Sequence, residues 1–182
     1  MQTLRQYARF PYRAGLAFAT GILINEKLAS PLAIEGSSMH PALSPDYHAT
    51  GRKDRVVFTK WGAAHDLKRG DVIAFWTPHD PEKIGVKRVV AVAGDTVVPR
   101  SDKYPLREEV VPFNHVWVEG DNERDTKDSN DYGPISKALI HGKASYIVWP
   151  FVRFGPVESI HAKSQSKIRE TPTAMVVPEE YL

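Results

Sequence analysis

The sequence predicts a mainly β domain, partly barrel-like, entered through a single N-terminal helix. Three observations carry this expectation. Short runs rich in Val, Ile, Phe and Trp recur from residue 31 onward, separated by Gly, Pro and Asp turn signals. No long 3.6-residue periodicity follows residue 35. Proline is abundant, 14 in 182 residues, which shortens helices and favours turns. The hydrophobic fraction of 42% permits a real core, and the length suits one domain of ordinary size with some chain at its ends.

The N-terminus differs from the rest. Arg5, Arg9 and Arg13 come before the first acidic residue, Glu26, and an uncharged run from Ala14 to Ile24 lies between. Eleven helical residues rise only about 16 Å, against ~30 Å for a hydrocarbon core. Extending the span to Ile34 supplies the length but includes Glu26 and Lys27, and Pro31 ends or kinks a helix there. The residues leave three readings open: an amphipathic helix packed on the domain, a cleaved targeting peptide, or a single membrane anchor. The expectation adopted is an anchor over residues 1–30, with the arginines on the more positive side and the following domain across the membrane.

Strands are expected at Leu32–Glu35, Arg55–Lys60, Val72–Trp76, Gly85–Ala93, Thr96–Val98, Val116–Glu119 and Ser145–Trp149. Arg69-Gly70-Asp71, Gly94-Asp95 and Gly120-Asp121-Asn122 supply turns between them. The domain therefore runs over residues 31–154. Residues 155–182 are polar, mixed in charge and carry Pro172 and Pro178, which predicts a poorly ordered tail with little chemistry.

Composition removes several functions. With no cysteine there is no disulfide, thiol nucleophile, iron–sulfur cluster or Cys-based zinc site. Seven histidines are scattered without HExxH or another close pair, so a zinc site is not expected. Phosphate-cradling glycine motifs and the GxSxG elbow are missing. Lys plus Arg at 24 against Asp plus Glu at 22 leaves a net charge of only +2, a balance that gives little support to a dedicated nucleic-acid binder.

Three segments stand out: Glu35-Gly36-Ser37-Ser38-Met39-His40-Pro41, the strand from Gly85 to Asp95, and the stretch from Trp117 to Ile135. Taken bare, Ser38 reads as a loop serine satisfying a turn. Lys87 in an extended strand shares a face with Gly85, Val89 and Ala91, while Val86, Arg88, Val90 and Val92 face the other way. Alone, it reads either as a lysine snorkelling to water or as a desolvated one. A base working near neutrality needs a pKa depressed by about three units, or ~4 kcal/mol. A neutral lysine beside a serine hydroxyl can take its proton and make a nucleophile.

Together the segments resemble the type I signal peptidases, which use a Ser-Lys dyad. The matching boxes are Ser38-Met39-His40-Pro41, Arg69-Gly70-Asp71-Val72, Lys87-Arg88-Val89 through Gly94-Asp95, and Gly120-Asp121-Asn122 with Asp128-Ser129 and Gly133. Their order and spacing fit from about residue 12 to residue 154. Four ordered boxes are specific, where the first alone would be weak. The run HVWVEGDN, Asn130 after Asp-Ser, and Ile147-Val148-Trp149-Pro150 look closer to the mitochondrial inner membrane branch.

The resemblance implies a membrane-bound serine endopeptidase that removes sorting peptides from precursors bound for the intermembrane space. It implies work beside a sister catalytic subunit and needs no metal or organic cofactor. Ser38 is then the nucleophile and Lys87 the general base, with the Ser38 N–H stabilising the oxyanion. Bacterial relatives often carry a serine where this chain has Gly36, so a second oxyanion donor falls to Ser37 or a water. Thr126 stands where the family commonly has a serine that hydrogen-bonds the lysine. Asp128 is expected to pair with Arg88, beside Ser129. Asp121 and Asn122, with Gly120, are expected to fix a turn, and Met39 to pack under the site next to Pro41. The substrate is expected to lie extended between the strands leading to Ser38 and to Lys87. Two rivals stay open: a non-catalytic stabilising subunit, and a soluble Ser-Lys self-cleaving regulator, for which residues 1–30 are too short to supply a DNA-binding domain.

Overall fold

The computed structural model describes residues 2–102, 104–159 and 166–169. Helix α1 (Gln2–Leu23) continues into a π-helical turn (Ile24–Leu28) and then strand β1 (Ala29–Ala33). There follow a short helix α2 (Tyr47–Thr50) and strands β2 (Arg55–Thr59), β3 (Val72–Thr77), β4 (Asp80–Val92), β5 (Thr96–Val98), β6 (Glu109–Val110) and β7 (His115–Glu119). Helix α3 (Ser129–Tyr132) leads to β8 (Ile135–Ser136), β9 (Ile140–Trp149), β10 (Gly155–Pro156) and β11 (Lys167–Arg169). The mainly β reading with one N-terminal helix is borne out.

The strands form two antiparallel sheets. The larger, of eight strands, has the order β1-β2-β9-β3-β4-β7-β8, with β10 also on β9; the smaller has the order β11-β5-β6. Alternation sorts β3 and β4 into two apolar faces, as period-2 side chains require. Val72, Ala74, Ile84 and Val86 join Ile34, Met39, Val56 and Phe58 in one cluster. Ile73, Phe75 and Val89 join Val116, Val118 and Ile135 in another. A register shift between Val89 and Ala91 breaks the alternation. Val90 and Ala91 then both enter a third cluster with Val97, Val111 and Trp117, which joins the small sheet to the large one. The expected opposition of Val90 and Ala91 therefore fails at the bulge.

Two expectations need correction. No helix among the described residues is long and apolar enough to cross a membrane. Arginines occupy the first half of α1, and its uncharged part is too short. Every side chain from Arg13 to Leu23 is exposed, so this stretch does not pack on the domain either. Secondly, residues 155–159 and 166–169 are no loose tail. Strand β10 pairs with β9, β11 pairs with β5, and Ser166 is buried against Glu119. Backbone pairing and a buried carboxylate hold them, neither of which local polarity reveals. The rest of that expected tail lies outside the described residues.

Candidate active site

Ser38 sits in the turn that leaves β1. Gly36 adopts φ +85, a region open to glycine but strained for other residues, and nothing crowds its missing Cβ. Conformation, not space, therefore calls for glycine there. Met39, 1% exposed, plugs the turn into the first core cluster, as expected. From across the site Asn122 grips two consecutive carbonyls. Its N–H donates to Ser38 O at 2.9 Å and its Nδ2 to Ser37 O at 3.1 Å. Gly120 lies against the same turn, and a Cβ there would come within 2.6 Å of Ser38 O. The Gly-Asp-Asn segment thus holds the serine turn. The Ser37 hydroxyl donates to Asp125, which ties it away from the role of second oxyanion donor.

Lys87 rises from β4, 7% exposed, with Nζ 2.9 Å from Ser38 Oγ and 3.0 Å from Val86 O, to which it donates. Burial is the largest influence on its amine, opposed by the carboxylates of Asp128, Asp121 and Asp125, and the pKa falls from 10.5 to about 8. At pH 7 about a tenth of such lysines are neutral, against roughly one in three thousand for a solvated one. In the ammonium form Nζ donates to Oγ; in the neutral form the Oγ–H can donate along the same line. The expected hydrogen bond from Thr126 is not formed. Its Oγ1 is buried without a partner, close against Gly120.

The expected pairing of Asp128 with Arg88 is also wrong. Arg88 points away from Lys87 and makes a two-pronged bond to Asp121, Nε–Oδ1 2.8 Å and Nη2–Oδ2 2.7 Å, with Nη1 donating to Gly70 O and Glu158 O. Asp128 instead caps α3. It accepts from Asn130 N and Gly120 N and receives Arg100 Nη2 at 2.6 Å. The two carboxylates are seven residues apart, and the turn between them carries one to Arg88 and the other to Arg100. Ser129 Oγ accepts from Val118 N at 2.9 Å, fastening α3 to β7. Arg69 and Asp95 form a second two-pronged pair, 2.9 and 2.6 Å, joining the second and third boxes. Pro41 follows the serine turn without a polar role.

Sequence reasoning missed Arg100, Glu119 and Ser166. Glu119 is 1% exposed and accepts from Trp117 Nε1, Asn130 Nδ2 and Ser166 Oγ. A carboxylate closing a strand of buried residues was the available signal, since a buried charge demands partners. Nothing local announced Arg100 or Ser166.

The substrate-sized space lies where the large sheet is open. From Asp80 to Lys87 strand β4 pairs with β3 on one side only, because β7 joins it from Arg88 onward. Among the described residues strand β1 likewise pairs only with β2. A cavity of 310 Å³ lies between these edges, lined by Leu32 to Glu35, Met39, Ile84 to Val86, Ser38 and Lys87.

A family model described as signal peptidase, peptidase S26, matches residues 7–104 and 99–149. The chain belongs to this family. It is a serine peptidase. Among curated relatives it is 41% identical over 137 residues to mitochondrial inner membrane protease subunit 2 of Schizosaccharomyces pombe, covering 75% of this chain and 74% of that one. Subunit 2 of Saccharomyces cerevisiae is 39% identical over 136 residues, covering 74% and 76%. Subunit 1 of Mus musculus is also similar, 36% identical over 115 residues, covering 61% of this chain and 69% of that one. The peptidase therefore falls in the inner membrane branch, nearer to subunit 2, and its place is the mitochondrial inner membrane.

Proposed function

We propose that this peptidase cleaves sorting peptides from precursors delivered to the intermembrane space, with Ser38 as nucleophile and Lys87 as general base. The observation that supports it best is the buried Lys87 amine, depressed to about 8 and 2.9 Å from Ser38 Oγ. Neutral Lys87 takes the Ser38 proton as Oγ attacks the scissile carbonyl. The tetrahedral oxyanion meets the Ser38 N–H. The Lys87 ammonium then protonates the leaving amine, and the first product departs. In the second half Lys87 takes a proton from water, which attacks the Ser38 ester and releases the sorting peptide.

The precursor adds as a strand between the free edges of β1 and β4, a mode in which main-chain hydrogen bonds give affinity and pockets give selectivity. The cavity beside Ser38, Met39, Ile34 and Val86 suits a small residue before the cut. Exposed Leu16, Phe18, Ile22 and Leu23 give α1 apolar surface with which to enter the face of the bilayer, and the domain works in the intermembrane space. A sister catalytic subunit completes the working complex.

The decisive experiment is precursor processing in isolated mitochondria with Ser38→Ala, Lys87→Met and the double variant. Each should abolish processing and the double should be no worse than the singles, since the pair acts as a unit. With a short peptide, kcat/KM should rise with pH through an apparent pKa near 8. A limb near 10, or one near 6.5 that vanishes with a histidine, would sink the dyad. Carbonate extraction should leave the full-length chain in the membrane pellet; its release would refute membrane insertion of α1.

A further inference from the structure

A second cavity, of 290 Å³, touches the same strand from its other face. Ile84 and Val86 belong to the first core cluster and line the cavity beside Ser38. Lys83, Gly85 and Lys87, of the opposite parity, line the second one together with Lys127, Tyr132 and His79, and Gly85 and Lys87 border the first cavity as well. Gly85 matters to its depth. A Cβ there would stand 3.1 Å from Thr77 Cγ2 and 3.2 Å from Phe75 Cζ, closing the wall beside Lys87.

The charge of this wall is unbalanced. Lys83 lies 2.8 Å from Asp80, so that pair is locally neutral. Lys127 is exposed and makes no ion pair among the described residues. His79 packs edge-on against Tyr132 at the rim, at 5.9 Å between ring centroids. The one carboxylate of the wall, Asp80, is already engaged by Lys83.

A strand docked on the free edge of β4 sends successive side chains to opposite faces. Under the peptidase reading above, on which this inference rests, the residue before the cut enters the cavity beside Ser38 and Val86. Its upstream neighbour then faces the Lys83–Gly85–Lys87 side. We propose that the second cavity is the subsite for the side chain two positions before the cut, and that Lys127 selects an acidic residue there.

The test uses full-length protein in lipid–detergent micelles and three peptides differing only at that position: Asp, Leu or Lys. Turnover by Ser38→Ala is subtracted as the blank. The wild type should favour Asp over Lys by about tenfold in kcat/KM, mostly through KM, because one partly exposed attraction is exchanged for a repulsion. The preference should shrink as salt is raised. Lys127→Glu should bring the Asp/Lys ratio to one or below, and Lys127→Ala should lower it. Lys83→Glu supplies an independent variant should the first fold poorly, with the same direction expected. Equal kcat/KM for the Asp and Lys peptides, or an unchanged ratio in Lys127→Glu, overturns the subsite while leaving the peptidase reading intact. Cleavage of no peptide above the blank would overturn the peptidase reading and the subsite with it.

Discussion

Replacing Lys87 by Met should remove activity and add stability, and the gain should depend on pH in a defined direction. The folded state lowers the Lys87 pKa from 10.5 to about 8, so it disfavours the ammonium form relative to the unfolded chain. At 1.36 kcal/mol per unit, that penalty is about 3 kcal/mol. It acts in full below pH 8. Between pH 8 and 10.5 the unfolded chain still holds the proton that the folded one has lost, so wild-type stability rises with pH. Above 10.5 the penalty is gone. Methionine carries no proton in either state and has a similar length, so its burial adds no such dependence. Lys87→Met should therefore exceed the wild type by about 3 kcal/mol at pH 6.5, and the gap should narrow by about 2 kcal/mol by pH 9.5. Urea unfolding of the full-length proteins in detergent, followed by the fluorescence of buried Trp117, measures both gaps. A gap that stays constant or widens with pH would show that Lys87 is not held against its charge by burial.

Three other substitutions probe the frame around the dyad. Asp121→Asn leaves the Arg88 guanidinium, 3% exposed, without its carboxylate, and should lower unfolding free energy by about 3–5 kcal/mol; a loss under ~1 kcal/mol would mark the pair as dispensable. Gly120→Ala forces a Cβ to within 2.6 Å of Ser38 O, so turnover of a peptide should fall at least about tenfold as the Ser38 turn shifts, whereas unchanged turnover would show that the turn yields freely. Thr126→Val removes a hydroxyl that has no partner, so thermal stability should hold and kcat/KM should stay within about threefold; a larger fall would mean that the hydroxyl turns to Lys87 during the reaction.

Much of the fold was legible because it is written in short-range chemistry. Period-2 alternation located β2, β3, β5 and β7 to within a residue or two, and turn residues marked their ends. The two-residue strands β6, β8 and β10 escaped because so short a run has no periodicity to read; only a neighbouring strand makes it a strand. The bulge at Val90 escaped for a related reason, since register belongs to a pair of strands.

The candidate site divides along the same line. The resemblance to the type I signal peptidases pointed to Ser38, Lys87 and the boxes around them, whereas the residues by themselves left Lys87 open between snorkelling to water and desolvation. Which carboxylate meets which arginine was decided only in three dimensions. Asp121 and Asp128 are both acids near one turn, but the turn delivers one to Arg88 and the other to Arg100. The surroundings of Ser37 and Thr126 were likewise set by approach across the site, with Asp125 claiming one hydroxyl and Gly120 crowding the other. A hydrogen bond depends on distances of tenths of an ångström between segments far apart in sequence, and those distances exist only once the core clusters have brought the strands together.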